Sequence, residues 1–237
     1  IAAALTVALT TVPVQAKVTA DEAAKLGTEL TPLGGEKAGN ADGSIPAWTG
    51  GITSTPAGYS AGDFHPDPYA GEKPEFVISA ANYQQYADQL SEGLKKMFET
   101  YPDTFKLPVY KTHRSASNPQ FVYDATKENA TRATLLDDGN GMAGAAVGIP
   151  FPIPANGLEA IWNHIARYRG PAVQRNGGQA AVTAGGDYNV IGFDEQLLIQ
   201  YSQENATPES LLENNVLFMF KQKVTKPARL AGTALLV

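Results

Sequence analysis

Residues 148–171 read GIPFPIPANGLEAIWNHIARYRGP and hold the strongest local signals in the chain. Pro150, Pro152 and Pro154 each fix their own φ angle and push the preceding residue into the extended region. The segment 148–154 is therefore predicted to form an edge strand or a polyproline arm, because a central strand cannot carry these prolines.

A short helix is predicted directly after this arm. Asn156 offers an N-cap oxygen, and Glu159 stands three residues further on, as in a capping box. Gly170 and Pro171 supply a stop signal. These signals predict a helix from about Gly157 to Arg169.

The predicted helix carries one apolar stripe with the spacing i, i+3, i+4 and i+7, and its members are Leu158, Ile161, Trp162 and Ile165. The other side carries Glu159, Asn163, His164 and Arg167. Burying four such apolar side chains contributes about 6 to 12 kcal/mol, which is comparable to the net stability of a domain. The stripe therefore needs a cover, and two interpretations stay open: it fills a core, or it lies over a hydrophobic cavity.

Composition limits the class of protein. The chain has 237 residues with 23 Gly and 16 Pro, more turn residues than a helical bundle needs, so one or two β-rich domains are expected. The net charge of -6 gives no electrostatic reason to expect nucleic acid or an anionic membrane as a partner. The small basic run of Arg167, Arg169 and Arg175 is interpreted as pairing with a helix dipole and with carboxylates.

Residues 1–16, IAAALTVALTTVPVQA, form a short apolar run that ends in a small-x-small pattern and is typical of part of a secretory signal peptide. We expect the mature protein to begin at Lys17. The chain contains no cysteine, so this sequence can form no disulfide and has no acceptor for a lipid anchor. A bacterial periplasmic location without a lipid anchor is predicted.

Residues 31–74 are dense in glycine and proline and show no periodicity, which predicts a long irregular segment. Its large apolar residues suggest that it wraps around the protein and docks; they are Ile45, Trp48, Ile52, Tyr59, Phe64 and Tyr69.

The remaining elements follow from local patterns. Residues 17–30 resemble a capped helix that begins near Thr19, and residues 79–101 predict two short helices or one broken helix with a new cap at Ser91. Short β-prone runs are predicted at 107–110, 119–125 and 133–151, the last with a hairpin at Asp138-Gly139 and Asn140-Gly141. Two strands are predicted at 188–193 and 196–201, with Asp194-Glu195 as the turn between them.

Residues 216–225 give the clearest strand signal. Phe218 and Phe220 fall on one face while Leu217 and Met219 fall on the other, so the first half of the strand is predicted to lie between two layers. A further strand is expected to begin within 230–237, and its end without a turn or cap suggests that a C-terminal part is missing.

No pattern of catalytic chemistry emerges. The three histidines, His65, His113 and His164, lack a second histidine or carboxylate at metal-ligand spacing. The run 137–141 resembles part of a calcium loop but lacks its alternating ligands, and a hairpin explains it. The chain has no G-x-S-x-G motif and no cysteine nucleophile, so no enzyme, cofactor or metal is predicted. The glycine pairs 50–51, 177–178 and 185–186 are interpreted as turns.

Several motifs together resemble one family. They are EKAGNADGSIPAWTGGI (36–52), HPDPYAGEKP (65–74), YPDTF (101–105), PQFVYDATKENA (119–130), LLDDGNG (135–141) and IPFPIPANGLEAIWNHIARYRG (149–170). They are similar to the family labelled domain of unknown function 1329, whose members are often described as outer-membrane lipoprotein-sorting-like proteins. The resemblance covers essentially all of residues 17–237, and members of the family are typically longer than this chain.

The resemblance implies an α+β, β-rich fold related to the periplasmic lipoprotein carriers. In such a fold, a curved, unclosed antiparallel β-barrel holds helices over a concave apolar face, and here it would be incomplete at the C-terminus. One domain, 17–237, is expected, with 31–74 as its irregular wrapping segment.

Function follows mainly from this resemblance. We expect a non-catalytic periplasmic protein that binds or carries a lipid or an acyl chain. The candidate cavity-lining residues are Leu158, Ile161, Trp162, Ile165, Trp48, Phe218 and Phe220. A second hypothesis is an adaptor that docks on envelope transport or outer-membrane proteins through 31–74, and a third is a hydrolase.

Overall fold

The computed structural model describes residues 18–60 and 62–237, so the predicted signal segment 1–16 lies outside the described residues. The chain divides into two compact units. One combines the N-terminal residues up to Glu36 with Asn118–Val237, and the other is Lys37–Ser117. Each unit is described by itself.

The first helix is much shorter than the sequence suggests. α1 spans Ala20–Ala23, a single turn closed by a capping box in which Thr19 and Glu22 each bond the other's backbone N–H. Its buried Ala23 and the following Leu26 pack with Ala130. The cap was therefore predicted correctly, but the helix ends after one turn.

The irregular segment was predicted correctly in kind, since residues 31–60 and 62–74 contain no helix or strand. Within the second unit it docks through hydrogen bonds: the Trp48 indole donates to the Ala116 carbonyl at 2.9 Å, and the Ile52 amide donates to Ser115 at 2.9 Å. Arg114 also donates to three carbonyl groups of residues 37, 38 and 46. Ile45, Ile52 and Phe64 remain exposed, so backbone groups do much of the docking.

The second unit has a small core of its own. β1 (Phe76–Ile78) pairs antiparallel with β2 (Leu107–Val109), and a 3-10 helix at Tyr83–Gln89 is followed by α2 (Glu92–Thr100). The Ser91 hydroxyl accepts the Leu94 amide, which confirms the predicted cap and the two short helices. Phe98 is fully buried at the centre of this core.

The central helix of the first unit was predicted wrongly as a strand at 119–125. α3 spans Gln120–Arg132, and its buried side is Val122, Thr126, Asn129 and Ala130. This stripe has helical spacing, but two of its four members are polar. A reading based on apolar periodicity therefore misses it.

The two polar members of the stripe fasten the proline arm to α3. The Asn129 amide donates to the carbonyls of Ala146 and Ile149 and accepts the Ala146 N–H. The Thr126 hydroxyl accepts the Ile149 amide at 3.0 Å. A Cβ at Gly148 would lie 2.4 Å from the Thr126 hydroxyl oxygen, so the close approach requires glycine there.

The arm itself forms no strand between residues 144 and 156. Pro150 and Phe151 are buried, so the segment is a packed, irregular part of the core rather than an edge strand. Val147 has φ 63°, a left-handed conformation that is an outlier for a β-branched residue. Its amide donates to the Tyr201 carbonyl, which holds the strained turn in place.

Three further elements surround the arm. β3 (Thr134–Leu136) and β4 (Gly141–Ala143) form the predicted hairpin, joined by a 3-10 turn at Asp137–Gly139. α4 spans Gly157–Ile165, four residues shorter than predicted, because Ala166 leaves the helical conformation and becomes buried against Tyr201 and Ala145. α5 (Pro208–Asn214), capped by Thr207, was not predicted.

The largest sheet is an antiparallel meander of four strands in the order β5, β6, β7, β8. The strands are β5 (Ala172–Val182), β6 (Tyr188–Ile199), β7 (Phe218–Lys226) and β8 (Ala234–Leu236). Gly177 and Gly178 lie inside β5, so the predicted turn there was wrong. They pair with Phe193 and Gly192, where the register of β6 and β7 also shifts.

The predicted turn at Asp194-Glu195 was also wrong, since β6 runs through it. Glu195 is buried and accepts hydrogen bonds from Arg175 on β5 and from Gln222 on β7, its two cross-strand neighbours. The charge is thereby compensated within the sheet. Two adjacent acidic residues in one strand look like a turn only when their partners are unknown.

These elements confirm the α+β class and show that the sheets are antiparallel and unclosed. The first half of β7 was predicted to lie between two layers. Phe218 and Met219 are about half exposed instead, because no described element covers both faces of the sheet there.

Candidate ligand-binding cavity

α4 is the helix that positions the candidate site. Asn156 caps it by accepting the Glu159 amide at 3.0 Å, and the Glu159 carboxylate accepts the Ala155 amide in return. Asn163 then clamps the arm, since its side chain accepts the Phe151 N–H at 2.8 Å and donates to the Phe151 carbonyl at 2.7 Å. The helix is therefore held to the protein through a residue from its predicted polar side.

The predicted apolar stripe is consequently left partly open to solvent. Leu158 is 49% exposed, Ile161 58% and Ile165 45%. No residue within α4 is buried, so the interpretation of the stripe as a filled core was wrong.

Trp162 is the member of the stripe that makes the most defined contact. Its indole N–H donates to the Gly139 carbonyl at 2.9 Å, at the turn between β3 and β4. Leu158 packs on the same glycine, where an added Cβ would lie 2.6 Å from a Leu158 methyl carbon. The hairpin turn and α4 thus support each other and set the position of the indole ring.

A large cavity of about 760 Å³ opens beside Trp162. Its wall is built by the hairpin β3–β4, the residues that follow it, α5 and the start of β7. The larger side chains of this wall include Met142, Trp162, Tyr201, Leu211, Leu217 and Phe218. Among the described residues that line it, Asp137 is the one with a charged side chain. The volume and the apolar lining match those of pockets that bind small apolar molecules.

A small cavity of about 330 Å³ lies next to it, between the C-terminal end of α4 and the ends of β6 and β7. Its apolar lining is Ile165, Ala166, Leu197, Ile199, Leu217 and Phe218, and its polar lining is His164, Arg167, Arg169 and Tyr201. The two cavities share Tyr201, Leu217 and Phe218. Phe218, which is 51% exposed, therefore stands at the boundary between them.

Two polar side chains that line the small cavity, those of Tyr201 and Arg169, have pKa values shifted in opposite directions. The buried Tyr201 hydroxyl donates to the Gly148 carbonyl at 2.7 Å. Burial raises the pKa of Tyr201 well above its usual range, and the charge of Arg132 offsets this only in part. At neutral pH the phenol is thus an uncharged structural group. Burial, together with the charges of Arg167 and Arg175, lowers the pKa of Arg169.

The remaining sequence-predicted site residues lie elsewhere. Phe220 lines a third cavity of about 480 Å³ on the sheet, together with Leu198 and Met219. Leu158 and Ile161 line none of these three cavities. Trp48 belongs to the second compact unit, where its indole binds the Ala116 carbonyl. The structure thus brings together Trp162, Ile165 and Phe218 from the predicted set.

Sequence reasoning missed several lining residues. Leu211 comes from α5, whose start is marked by Thr207 as a cap and Pro208 at the first helical position, a signal that was available. Tyr201 and Leu217 carry no such signal, because their place depends on the long-range bond between the Tyr201 amide and the Leu217 carbonyl.

In residues 18–60 and 62–237, no three His, Asp or Glu side chains are grouped so that they could hold a metal ion. Within the same part of the chain, no helix combines the length and the apolar character that a membrane span requires.

Comparisons with known proteins give the relationship of the chain. It is 51% identical over 233 residues to the uncharacterized protein PA3922 of Pseudomonas aeruginosa, an alignment that covers 98% of this chain and 51% of the relative. The chain therefore spans about half the length of the curated relative that it matches. No solved structure matches. The model of the family described as "Protein of unknown function (DUF1329)" matches residues 77–237, and the chain belongs to this family.

Proposed function

We propose that this protein is a non-catalytic periplasmic carrier that binds a lipid or an acyl chain in the large cavity. The proposal includes a fold related to the periplasmic lipoprotein carriers, in which the unclosed sheet forms part of the wall. The observation that carries it is the 760 Å³ cavity itself, which is lined mainly by apolar side chains. An acyl chain is the kind of ligand that such a surface dehydrates without needing polar partners.

The exposure and the ordering of the lining side chains support ligand binding rather than a filled protein core. Phe218 is about half exposed, and the indole of Trp162 is held by a single hydrogen bond to Gly139. Apolar groups that are already ordered by their neighbours lose little freedom when a ligand covers them. The cavity is thus pre-organised for an apolar guest.

The test is binding of a fluorescent fatty acid to the full-length protein and to its Trp162→Ala variant. Removal of the indole takes away one apolar wall, so affinity should fall about tenfold or more, which corresponds to ~1.4 kcal/mol. Because Trp162 is only partly buried, the stability cost should be below the ~3 to 5 kcal/mol typical of a fully buried tryptophan.

Trp48→Ala is the matched control, since Trp48 lies in the other compact unit and lines none of the three cavities. It should leave fatty-acid affinity unchanged. Phe218→Ser serves as a second cavity variant whose side chain is already half exposed. A wild-type protein that does not bind the probe, or a Trp48 variant that weakens binding as much as the Trp162 variant, would contradict the carrier proposal.

One observation favours a second candidate, the envelope adaptor. The exposed residues Leu158, Ile161 and Ile165 form an apolar strip on α4 that a partner protein could cover. An adaptor of this kind would dock through the strip on α4 rather than through 31–74. If Ile161→Asp abolishes association with envelope proteins while the wild type binds no fatty acid, the adaptor function gains support over the carrier.

A further inference from the structure

The small cavity combines an apolar floor with a polar rim that carries two arginines. The floor is formed by Ile165, Leu197, Ile199, Leu217 and Phe218, and the rim by His164, Arg167 and Arg169. These two kinds of surface meet within a few residues, because the chain leaves α4 at Ile165 and both arginines follow directly. A ligand that fills the cavity therefore meets both surfaces.

The two rim arginines are not neutralised by acidic side chains of the described part of the chain. Among the described residues, neither Arg167 nor Arg169 forms a salt bridge within 4.0 Å, whereas Arg132 pairs with Glu128 and Arg175 with Glu195. The sequence predicted that this basic run pairs with a helix dipole and with carboxylates: Arg175 pairs with a carboxylate and Arg167 contacts the C-terminal end of α4, whereas Arg169 forms no salt bridge. Arg167 instead donates to the His164 carbonyl at 3.2 Å and lies 3.1 Å from a ring nitrogen of His164, so its partners at the C-terminal end of α4 carry no formal negative charge.

The floor offers no alternative partner for a polar head group. Of the lining residues in the described part of the chain, only Tyr201 carries a hydroxyl, and its proton is already donated to the Gly148 carbonyl. Polar recognition must therefore come from the rim, where two guanidinium groups favour an anion. Arginine pairs readily with a planar carboxylate through two parallel N–H bonds.

Resting on the carrier function proposed above, we infer that the ligand is a single-chain fatty acid whose carboxylate is held by Arg167 and Arg169. Its first methylene groups lie on the floor of the small cavity, and a longer chain continues past Phe218 into the large cavity. The volume of about 330 Å³ is at the lower end of ligand pockets, which suits one chain better than the two chains of a phospholipid.

The experiment measures displacement of a neutral fluorescent lipid from the full-length protein by palmitate, by its methyl ester and by a single-chain lysophosphatidate. Palmitate should bind about ten- to a hundredfold more tightly than the methyl ester, as expected for a charge-assisted hydrogen bond. Added salt should weaken the binding of palmitate and leave the binding of the ester unchanged.

The double variant Arg167→Gln/Arg169→Gln should bind palmitate and its ester equally, while binding of the ester stays at the wild-type level. Arg229→Gln is the matched control, because Arg229 is exposed and lines none of the three cavities. It should preserve the preference for palmitate. Circular dichroism of both variants checks that the chain still folds.

Three other outcomes would overturn the carboxylate assignment, the choice of a fatty acid, or the carrier proposal. Equal binding of palmitate and ester by the wild type, or equal weakening of both by the double variant, overturns the carboxylate assignment but leaves the carrier proposal standing. Tighter binding of lysophosphatidate than of palmitate overturns the choice of a fatty acid in favour of a phosphate head group. Failure of every lipid to bind overturns the carrier proposal itself.

Discussion

Glu195 carries a negative charge into the middle of the four-stranded sheet. Its hydrogen bonds, first from Gln222 and then from Arg175, hold the pKa of this carboxyl below its ordinary value of 4.5. A carboxyl with a depressed folded-state pKa stabilises the fold above its unfolded pKa, and this contribution is lost as the pH falls through the folded value. Glu195→Gln should therefore lower the free energy of unfolding by about 1 to 2 kcal/mol at neutral pH.

Urea unfolding of the wild type and the variant tests this, first near neutral pH and then well below pH 4.5. The difference between the two proteins should shrink as the carboxyl of the wild type becomes protonated. Glu213→Gln on the exposed side of α5 is the matched control and should change stability little at either pH. A stability difference that does not vary with pH would rule out the charge of Glu195 as its cause.

Residue-scale prediction from sequence succeeds where the partner is close in the chain. The caps at Thr19, Ser91 and Asn156 were identified because each bonds an amide three residues away. Glu195 was misinterpreted because its partners, Arg175 and Gln222, are 20 and 27 residues distant. Nothing local distinguishes a buried, paired acid from an exposed turn acid.

Among the elements, α3 carries the proline arm, and Asn129 makes most of the hydrogen bonds that hold the arm to it. This fully buried side-chain amide makes four hydrogen bonds. It donates to the carbonyls of Ala146 and Ile149, and it accepts from the Ala146 N–H and from the Arg132 guanidinium. Asn129→Leu keeps the approximate volume but leaves the Ala146 N–H and the Ile149 carbonyl without their Asn129 partner, while the Ala146 carbonyl keeps the Gly148 N–H. Since each such group costs ~1 to 3 kcal/mol, we expect a loss of at least ~2 kcal/mol in unfolding free energy by urea titration.

Lys127→Leu is the control on the exposed side of the same helix, and its effect should stay within ~0.5 kcal/mol. If Asn129→Leu proves as stable as the control, the arm does not depend on this amide.

Helices could be predicted from the sequence where their buried stripe is apolar, but not where it contains polar residues. α2 and α4 have apolar stripes and were found, whereas α3 buries Thr126 and Asn129 and was taken for a strand. The end of α4 was also misplaced, because burial of Ala166 against Tyr201 ends the helix before the stop signal at Gly170. Tertiary contacts override local signals at such positions.

For the whole molecule, the α+β class, the antiparallel hairpin and the final strands could be predicted from the sequence. The division into two compact units and the continuous strand β6 could not, because both depend on contacts between distant residues. The same is true of the site. Trp162, Ile165 and Phe218 were identified by periodicity, but the cavities between them are closed by Tyr201, Leu217 and Leu211.

The glycine pair Gly177-Gly178 has a consequence for how the sheet moves. Beyond these residues β6 pairs with β5 alone, since the pairing of β6 with β7 stops at Gly192. Residues 179–182 and 188–190 then form an exposed two-stranded ribbon, a structure that is marginal in water by itself. Hydrogen–deuterium exchange should therefore show these amides opening with a small local free energy, while those of 194–198 exchange far more slowly. Equal protection on both sides of the glycines would contradict this. If the protection differs as expected, the ribbon opens and closes independently while the part of the sheet that forms the cavity wall stays paired.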